Sequence, residues 1–150
     1  MVPLERTDSP VVCLDADVLI AGLLSTSGAS HALLVLGEVG LLSIVVPRAA
    51  VAETTRNLRA LLPEALPAFE RFLAAAAVHV QDPAARDLRT AETLAHTKDV
   101  PILAAALSAR ARILVTHNTR HFRTSGRLRV VRPRVVLEEA RAWMSQLGRD

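Results

Sequence analysis

The sequence predicts an α/β fold, a three-layer sandwich whose central parallel sheet of four or five strands is flanked by helices. Short apolar segments of strand length alternate along the chain with longer segments of helical character. Most connections between them lack the turn residues of a β-hairpin. The apolar segments are also continuous, as expected for strands that are buried on both faces of a sheet.

Four short segments are predicted to be strands, and most of them are apolar runs between polar or turn residues. They are residues 11–14, 41–46, 78–81 and 113–115. Residues 130–131 are expected to form a fifth strand.

Helices are expected between these strands, and capping residues or prolines mark several of their first turns. Asp17 and Ser30 are suitable N-caps. Pro47, Pro83 and Pro133 suit the first turn of a helix. The predicted helices are residues 17–24, 30–39, 47–62, 67–75, 83–96, 99–110 and 133–143.

Length and composition indicate one globular domain. A chain of 150 residues with 51% hydrophobic residues is long enough to bury a core and too apolar to be disordered. Residues 1–10 lack the pattern of a signal peptide and are expected to be a flexible tail, so the domain is expected at residues 11–150. No apolar run is long enough to suggest a membrane span.

The single cysteine, Cys13, excludes an intramolecular disulfide and a cysteine-based zinc site. Its apolar neighbours indicate a buried and inert position on a strand. A chain of this kind is suited to the reducing cytoplasm, where we expect the protein to act.

Acidic and polar side chains fall near the ends of the predicted strands. These residues are Asp15, Asp17, Glu53, Asp99, Thr116 and Asn118. Because ligands bind at the carboxyl ends of parallel strands, we expect these side chains to converge at one edge of the sheet. Packed carboxylates repel one another unless they share a hard divalent cation. Such a cation lowers the pKa of bound water and stabilises the charge on a phosphate oxygen.

Each acid also has a purely structural interpretation. Asp17 and Asp99 are suitable helix N-caps, and Glu53 is spaced to pair with Arg56 one turn later. Asp15 is harder to explain in this way, because a carboxylate directly after an apolar strand needs a partner.

The segments that contain these acids resemble the PIN domain, the fold of many prokaryotic toxin nucleases of the VapC-like type. The matching stretches are VVCLDADVLIAGLL (11–24), VVPRAAVAETTRNL (45–58) and KDVPILAAALSARARILVTHNTRHF (98–122). They follow the order of the family pattern. An apolar strand precedes Asp-x-Asn or Asp-x-Asp, a helical Glu follows, then an Asp before an alanine-rich helix, and then a strand that ends in Thr.

The resemblance implies an acidic centre and a reaction. Asp15, Glu53 and Asp99 would bind Mg²⁺ or Mn²⁺, and the protein would cleave single-stranded RNA. Thr116 would orient water or a ligand. Many such toxins form homodimers and are blocked by an antitoxin protein, so both partners are implied as well.

Two positions depart from the family pattern, although both are still expected to belong to the site. Asp17 stands where the family usually has Asn, and we expect it to contact substrate. Asn118 stands where many members have a fourth acid, and we assign it to the catalytic group. This second departure weakens any case for two tightly held metal ions.

A stretch without acids lies between Asp99 and Glu138. It contains Arg110, Arg112, Arg120, Arg123, Arg127, Arg129, Arg132 and Arg134. This asymmetry predicts a basic rim beside the acidic pocket that binds the phosphate backbone, with Arg120 and Arg123 as the main substrate contacts. A solvated face or a subunit contact is the alternative.

Two histidines in this stretch, His117 and His121, are four residues apart, as zinc ligands on a helix would be. The segment between them lacks the Glu of the HExxH motif, so we expect His121 to contact substrate instead.

Two other functions fit part of the pattern. A haloacid-dehalogenase-like phosphatase also uses Asp-x-Asp after its first strand, but residues 100–137 contain neither the acids nor the lysine that it needs. A non-catalytic RNA-binding module with the same fold is favoured by the amide at Asn118. Metal-dependent cleavage of RNA distinguishes the nuclease from both.

Overall fold

The computed structural model describes residues 10–123 and 126–147, and these residues form a five-stranded parallel sheet flanked by helices, as predicted. The tail expected at residues 1–10 lies outside the described residues except for Pro10. The strands are β1 (Val11–Leu14), β2 (Ser43–Pro47), β3 (Val78–Gln81), β4 (Ile113–Val115) and β5 (Arg129–Val131). Their order in the sheet is β3-β2-β1-β4-β5, and all neighbours are parallel.

Helices connect the strands and cover the sheet. They are α1 (Ala16–Leu24), α2 (Ala29–Glu38), α3 (Arg48–Leu61), α4 (Leu66–Ala74), α5 (Ala85–Ala91), α6 (Val100–Ser108) and α7 (Pro133–Leu147). Short 3₁₀ helices lie at Pro63–Ala65, Thr97–Asp99 and Thr119–His121. Within the described ranges no single helix is long and apolar enough to span a membrane, and α1 and α2 meet that test only as a pair bent by 95°.

The caps of the first two helices differ from the prediction. Asp15, not Asp17, is the N-cap of α1, and its Oδ1 accepts a hydrogen bond of 2.7 Å from the backbone N–H of Ala16. Gly28 precedes α2 with a φ of 112°, while Ser30 lies inside the helix and is buried. The carboxylate of Asp17 is therefore available for contacts outside its own helix.

Other boundaries also differ from the prediction: β2 begins at Ser43 instead of residue 41, and α7 ends at Leu147 instead of residue 143. Pro47 ends β2 and stands just before α3 instead of inside its first turn. The helix predicted at residues 83–96 covers only Ala85–Ala91. It ends early because Ala95 forms an antiparallel bridge with Phe122, a contact between distant parts of the chain.

The core lies on both faces of β1, whose Val12, Cys13 and Leu14 are fully buried. This confirms the buried position predicted for Cys13. Burial, and secondarily the charge of Asp15, raises the pKa of the Cys13 thiol far above its usual range, so the nucleophilic thiolate is suppressed.

The strand order creates a switch point between β1 and β4. From β1 the chain continues to β2 on one side, and it returns after β3 to add β4 on the other side. Leu14 is in register with Val115, and the backbone N–H of Asp15 donates to the carbonyl of Val115 at 3.0 Å. Asp15 and Thr116 therefore leave the sheet side by side, at the type of crevice where open α/β proteins bind ligands.

Candidate active site

Asp15 and Thr116 form the centre of the site. Asp15 is only 7% exposed and Thr116 is fully buried. The Thr116 hydroxyl donates to Asp15 Oδ2 at 2.8 Å, while Asp15 Oδ1 accepts from the start of α1. The carboxylate is held at both oxygens by groups that the ends of β1 and β4 bring together.

Burial is the main reason that the pKa of Asp15 is raised from 3.8 to about 6. The negative charge of Asp17 raises it further, and that of Asp99 adds a smaller contribution. The hydrogen bonds from Thr116 and Ala16 act in the opposite direction. Asp15 thus lies near enough to both Asp17 and Asp99 to be repelled by their charges, so part of the predicted group of acids lies at this edge.

Asp17 is bound by the loop that follows β4. Its Oδ2 accepts from the backbone N–H of His117 at 3.0 Å and from Asn118 Nδ2 at 3.1 Å, and the Thr116 hydroxyl lies 3.3 Å away. Its Oδ1 is buried and has no hydrogen-bond partner among the described residues. One oxygen of this carboxylate is therefore fully occupied, and the other is left without a partner.

Asp99 faces the other part of the same loop. It occupies the N-cap position of α6, but its side chain makes no capping hydrogen bond. Instead its Oδ2 lies 3.1 Å from Nδ1 of His121. The ring of His121 stacks on His96 with centroids 4.5 Å apart and an interplanar angle of 22°. Asp99 thus stands at the cap position without capping the helix through its side chain, and its carboxylate contacts His121 of the predicted site instead.

Glu53 is not brought into this network. On α3 the buried positions are Ala50, Thr54 and Leu58, and Glu53 lies on the exposed side. Within the described chain, its carboxylate forms no ion pair with Arg56. In residues 10–123 and 126–147, no three His, Cys, Asp or Glu side chains are arranged to hold a metal ion. The trio of Asp15, Asp99 and Glu53 is therefore not assembled, and the role of Glu53 stays a prediction.

The arginines of the acid-free stretch divide between the two edges of the sheet. Arg120 and Arg123 are exposed in the loop after β4, within two residues of His121, which contacts Asp99. Arg112 immediately precedes β4 and Arg127 lies two residues before β5, so both are at the opposite edge. Arg129 is engaged by Glu139 through two hydrogen bonds. The predicted basic rim thus includes only part of the stretch.

Sequence reasoning missed three contributors to the site. His96 stacks on His121, the backbone N–H of His117 binds Asp17, and the buried Ser30 has its Oγ 3.4 Å from Nε2 of His117. His96 lies three residues before Asp99, and this proximity was the one signal in the sequence.

The donor set fits a divalent cation of the Mg²⁺ or Mn²⁺ type. Its available atoms are carboxylate oxygens, which are the ligands that such hard cations prefer. The unpartnered Asp17 Oδ1 and the raised pKa of Asp15 both indicate negative charge that is not compensated by the described residues. A cation at this edge would satisfy both.

The fold and the site together define an open α/β protein with a carboxylate cluster at its topological switch point. The family profile of the PIN domain matches residues 11–120, so the chain belongs to the PIN domain family, a family of nucleases. The resemblance stated from the sequence is confirmed. Membership of this family also excludes the dehalogenase-like phosphatase.

A solved structure supports the same fold. The crystal structure of VapBC2 from Rickettsia felis bound to a DNA fragment from their promoter contains a chain that superimposes with a TM-score of 0.60. The match covers 80% of this chain and 96% of that chain, at 15% sequence identity. No curated protein sequence matches the chain.

Proposed function

We propose that this PIN domain is a metal-dependent endoribonuclease that cleaves single-stranded RNA. One observation carries the proposal. At the switch point of a nuclease fold, buried Asp15 has a pKa raised to about 6, and neighbouring Asp17 presents a buried carboxylate oxygen without a partner. Buried charge of this kind is expected where a cation and a phosphodiester bind.

In this proposal, the side chains have separate tasks. Mg²⁺ or Mn²⁺ is held by Asp15, Asp99 and Glu53, and Asp17 contacts the substrate beside them. The Thr116 hydroxyl fixes Asp15 through its 2.8 Å hydrogen bond. When bound, the cation supplies a water of lowered pKa and stabilises charge on the phosphate.

Substrate contacts come from the loop after β4. Arg120 and Arg123 are exposed on the carboxylate side of the sheet and are suited to bind phosphate oxygens. His121, oriented by its contact with Asp99, is proposed to contact RNA at the same edge. Asn118 belongs to the centre through its hydrogen bond to Asp17.

Cleavage of a mixed RNA pool tests the proposal. The wild-type protein is expected to cut RNA with Mn²⁺ or Mg²⁺ and to stop in EDTA, and Asp15→Asn should lower the rate by about 100-fold or more. Asp82→Asn is the matched control, because Asp82 is exposed and paired with Arg48 outside the site. Undiminished cleavage in EDTA, or by Asp15→Asn, would show that these carboxylates do not hold the essential metal.

The same assay separates the nuclease from the non-catalytic alternative. Asn118 and the incomplete set of metal ligands in the described residues are the features that favour an RNA-binding module without activity. RNA binding that is unaffected by metal, without any cleavage, would identify that alternative.

We also propose that the protein is the toxin of a toxin–antitoxin pair, acts in the cytoplasm and forms a homodimer. The VapBC2 complex of the structural relative supports an antitoxin partner. Leu24, Val35 and Val39 on or next to α1 and α2 are exposed apolar side chains suited to a protein contact. Expression with and without a candidate antitoxin protein tests the first assignment, and sedimentation of the purified chain tests the homodimer.

A further inference from the structure

The carboxylate of Asp17 is bound asymmetrically. Three successive residues after β4 surround its Oδ2: the Thr116 hydroxyl, the His117 backbone N–H and the Asn118 amide. The Thr116 hydroxyl has a single proton and lies closer to Asp15, at 2.8 Å against 3.3 Å, so the two N–H groups are the main donors to Asp17. The loop therefore fixes the orientation of Asp17 through one oxygen only.

The second oxygen, Asp17 Oδ1, is buried without a hydrogen-bond partner among the described residues. A buried carboxylate oxygen normally accepts hydrogen bonds or binds a cation, because leaving it unpaired is costly. The carboxylate of Asp15 lies beside it, since the Thr116 hydroxyl is 2.8 Å from Asp15 Oδ2 and 3.3 Å from Asp17 Oδ2. A neutral donor would satisfy Asp17 Oδ1 alone, whereas a cation would also offset the negative charge of the two neighbouring carboxylates.

We propose that Asp17 is a metal ligand through Oδ1, and that Asn118 is the positioning residue that holds it through Oδ2. This inference rests on the proposed metal site and changes two roles within it. Asp17, expected to contact substrate, supplies a carboxylate to the metal. Asn118, placed in the catalytic group, does not bind metal but directs Asp17 with its amide.

The pair should tolerate an exchange of its two side chains. Asp17 and Asn118 face each other at 3.1 Å as one acceptor and one donor. If they are exchanged, the pair still contains one carboxylate and one amide, so its charge and its hydrogen bond are retained. Changing either residue alone alters that balance, because it leaves two amides or two carboxylates facing each other.

The test compares Asp17→Asn, Asn118→Asp and the double exchange variant, with Asp82→Asn as the control for loss of a carboxylate. Mn²⁺ affinity is measured by titration calorimetry, and thermal melts are recorded in EDTA and in Mn²⁺. We expect Asp17→Asn and the further variant Asn118→Ala to bind Mn²⁺ about 10- to 100-fold more weakly than wild type, and Asp82→Asn to bind it normally.

The exchange variant gives the decisive comparison. Asn118→Asp alone should melt lower in EDTA, because two carboxylates then face each other. The double exchange variant should melt higher in EDTA than Asn118→Asp. Its Mn²⁺ affinity should lie within about 10-fold of wild type, which is a smaller loss than that of Asp17→Asn. Rescue would show that the pair needs one carboxylate and one amide, whereas the loss of Mn²⁺ affinity in Asn118→Ala tests the positioning role of the amide.

Failure of the inference can be told apart from failure of the proposed function. Wild-type affinity in Asp17→Asn, or a double variant no better than Asp17→Asn, overturns the inference even if the wild-type protein cuts RNA. The expected pattern of Mn²⁺ affinities without any RNA cleavage overturns the proposed function and supports the inference. Absence of Mn²⁺ binding by the wild-type protein overturns both.

Discussion

At the scale of single residues, Asp15 makes the stability of the protein depend on pH. Its pKa is about 6 in the folded chain, against 3.8 for an exposed Asp as in the unfolded chain. Between these pH values the folded state therefore binds more protons than the unfolded state does. The contribution of Asp15 to the free energy of unfolding therefore falls as pH rises through this window and stays low above it. Asp15→Asn should remove this dependence and stabilise the metal-free protein above pH 6 by up to about 3 kcal/mol.

Urea unfolding of both proteins in EDTA, at pH values from 4 to 7, measures this difference. Other acids titrate in the same range. The quantity to compare across pH is therefore the free energy of unfolding of Asp15→Asn minus that of the wild-type protein. A difference that does not change between pH 4 and pH 7 would mean that Asp15 is not destabilised by ionisation in the folded state.

Thr116 is expected to stabilise the carboxylates through its hydroxyl. It is fully buried, donates to Asp15 and accepts from the backbone N–H of Asn118 at 3.1 Å. Thr116→Val keeps the shape but leaves these buried groups unsatisfied, so it should cost about 1–3 kcal/mol. Thr116→Ser retains the hydroxyl and should cost less. Unfolding in EDTA at pH 7 compares them, and equal stability of the two variants would argue against a role for the hydroxyl.

Only part of the site was predictable residue by residue. Asp15 and Thr116 follow neighbouring strands, so their contact follows from sheet topology alone. The hydrogen bonds of Asp17 depend on the conformation of residues 116–118, which places the His117 N–H and the Asn118 amide against it. The dihedral angles of such a short loop cannot be read from the sequence. Glu53 was expected at the same edge from its place after the second strand and from the resemblance, but its position on α3 leaves it exposed.

At the scale of elements, strands were predicted more accurately than helix ends. β1, β3 and β4 have the predicted bounds. In β1 and β4 the signal was a short continuous apolar run, which is typical of a strand buried on both faces. β3 lies at the edge of the sheet, and its His79 is exposed. Helix ends depend on contacts made elsewhere. The predicted cap Asp17 was wrong because its carboxylate contacts the loop after β4. The helix at 83–96 was too long because Ala95 pairs with Phe122.

The packing of α2 on β2 leads to a prediction about Gly37. A Cβ at this buried position would lie 2.6 Å from Cγ1 of Ile44, a fully buried residue of β2. Gly→Ala in a helix ordinarily stabilises by about 0.5–1 kcal/mol, but here overpacking should dominate and cost about 1–3 kcal/mol.

Thermal or urea unfolding of Gly37→Ala gives the sign of the change. Glu38→Ala is the control, because this neighbour on the same helix is exposed and should change stability by less than about 0.5 kcal/mol. A stabilised Gly37→Ala protein would mean that α2 lies farther from the sheet than described.

At the scale of the whole molecule, charge is distributed according to the direction of the parallel strands. Residues directly after β4 or β5 lie at the carboxyl edge of the sheet, and residues directly before β4 or β5 lie at the amino edge. The acid-free stretch runs across both edges, so its eight arginines cannot all serve one surface. The sequence showed the asymmetry of charge, whereas the location of each arginine required the topology.

This division predicts the salt dependence of RNA binding. If Arg120 and Arg123 bind phosphates, replacing both by Ala should reduce the slope of log affinity against log salt by about 0.7 for each phosphate that is no longer neutralised. Replacing Arg112 and Arg127 removes the same charge at the amino edge, where both side chains are exposed, and should leave the slope unchanged. Binding is measured in EDTA to prevent cleavage. Equal slopes for the two double variants would mean that net charge, and not the edge at which it lies, determines how the protein binds RNA.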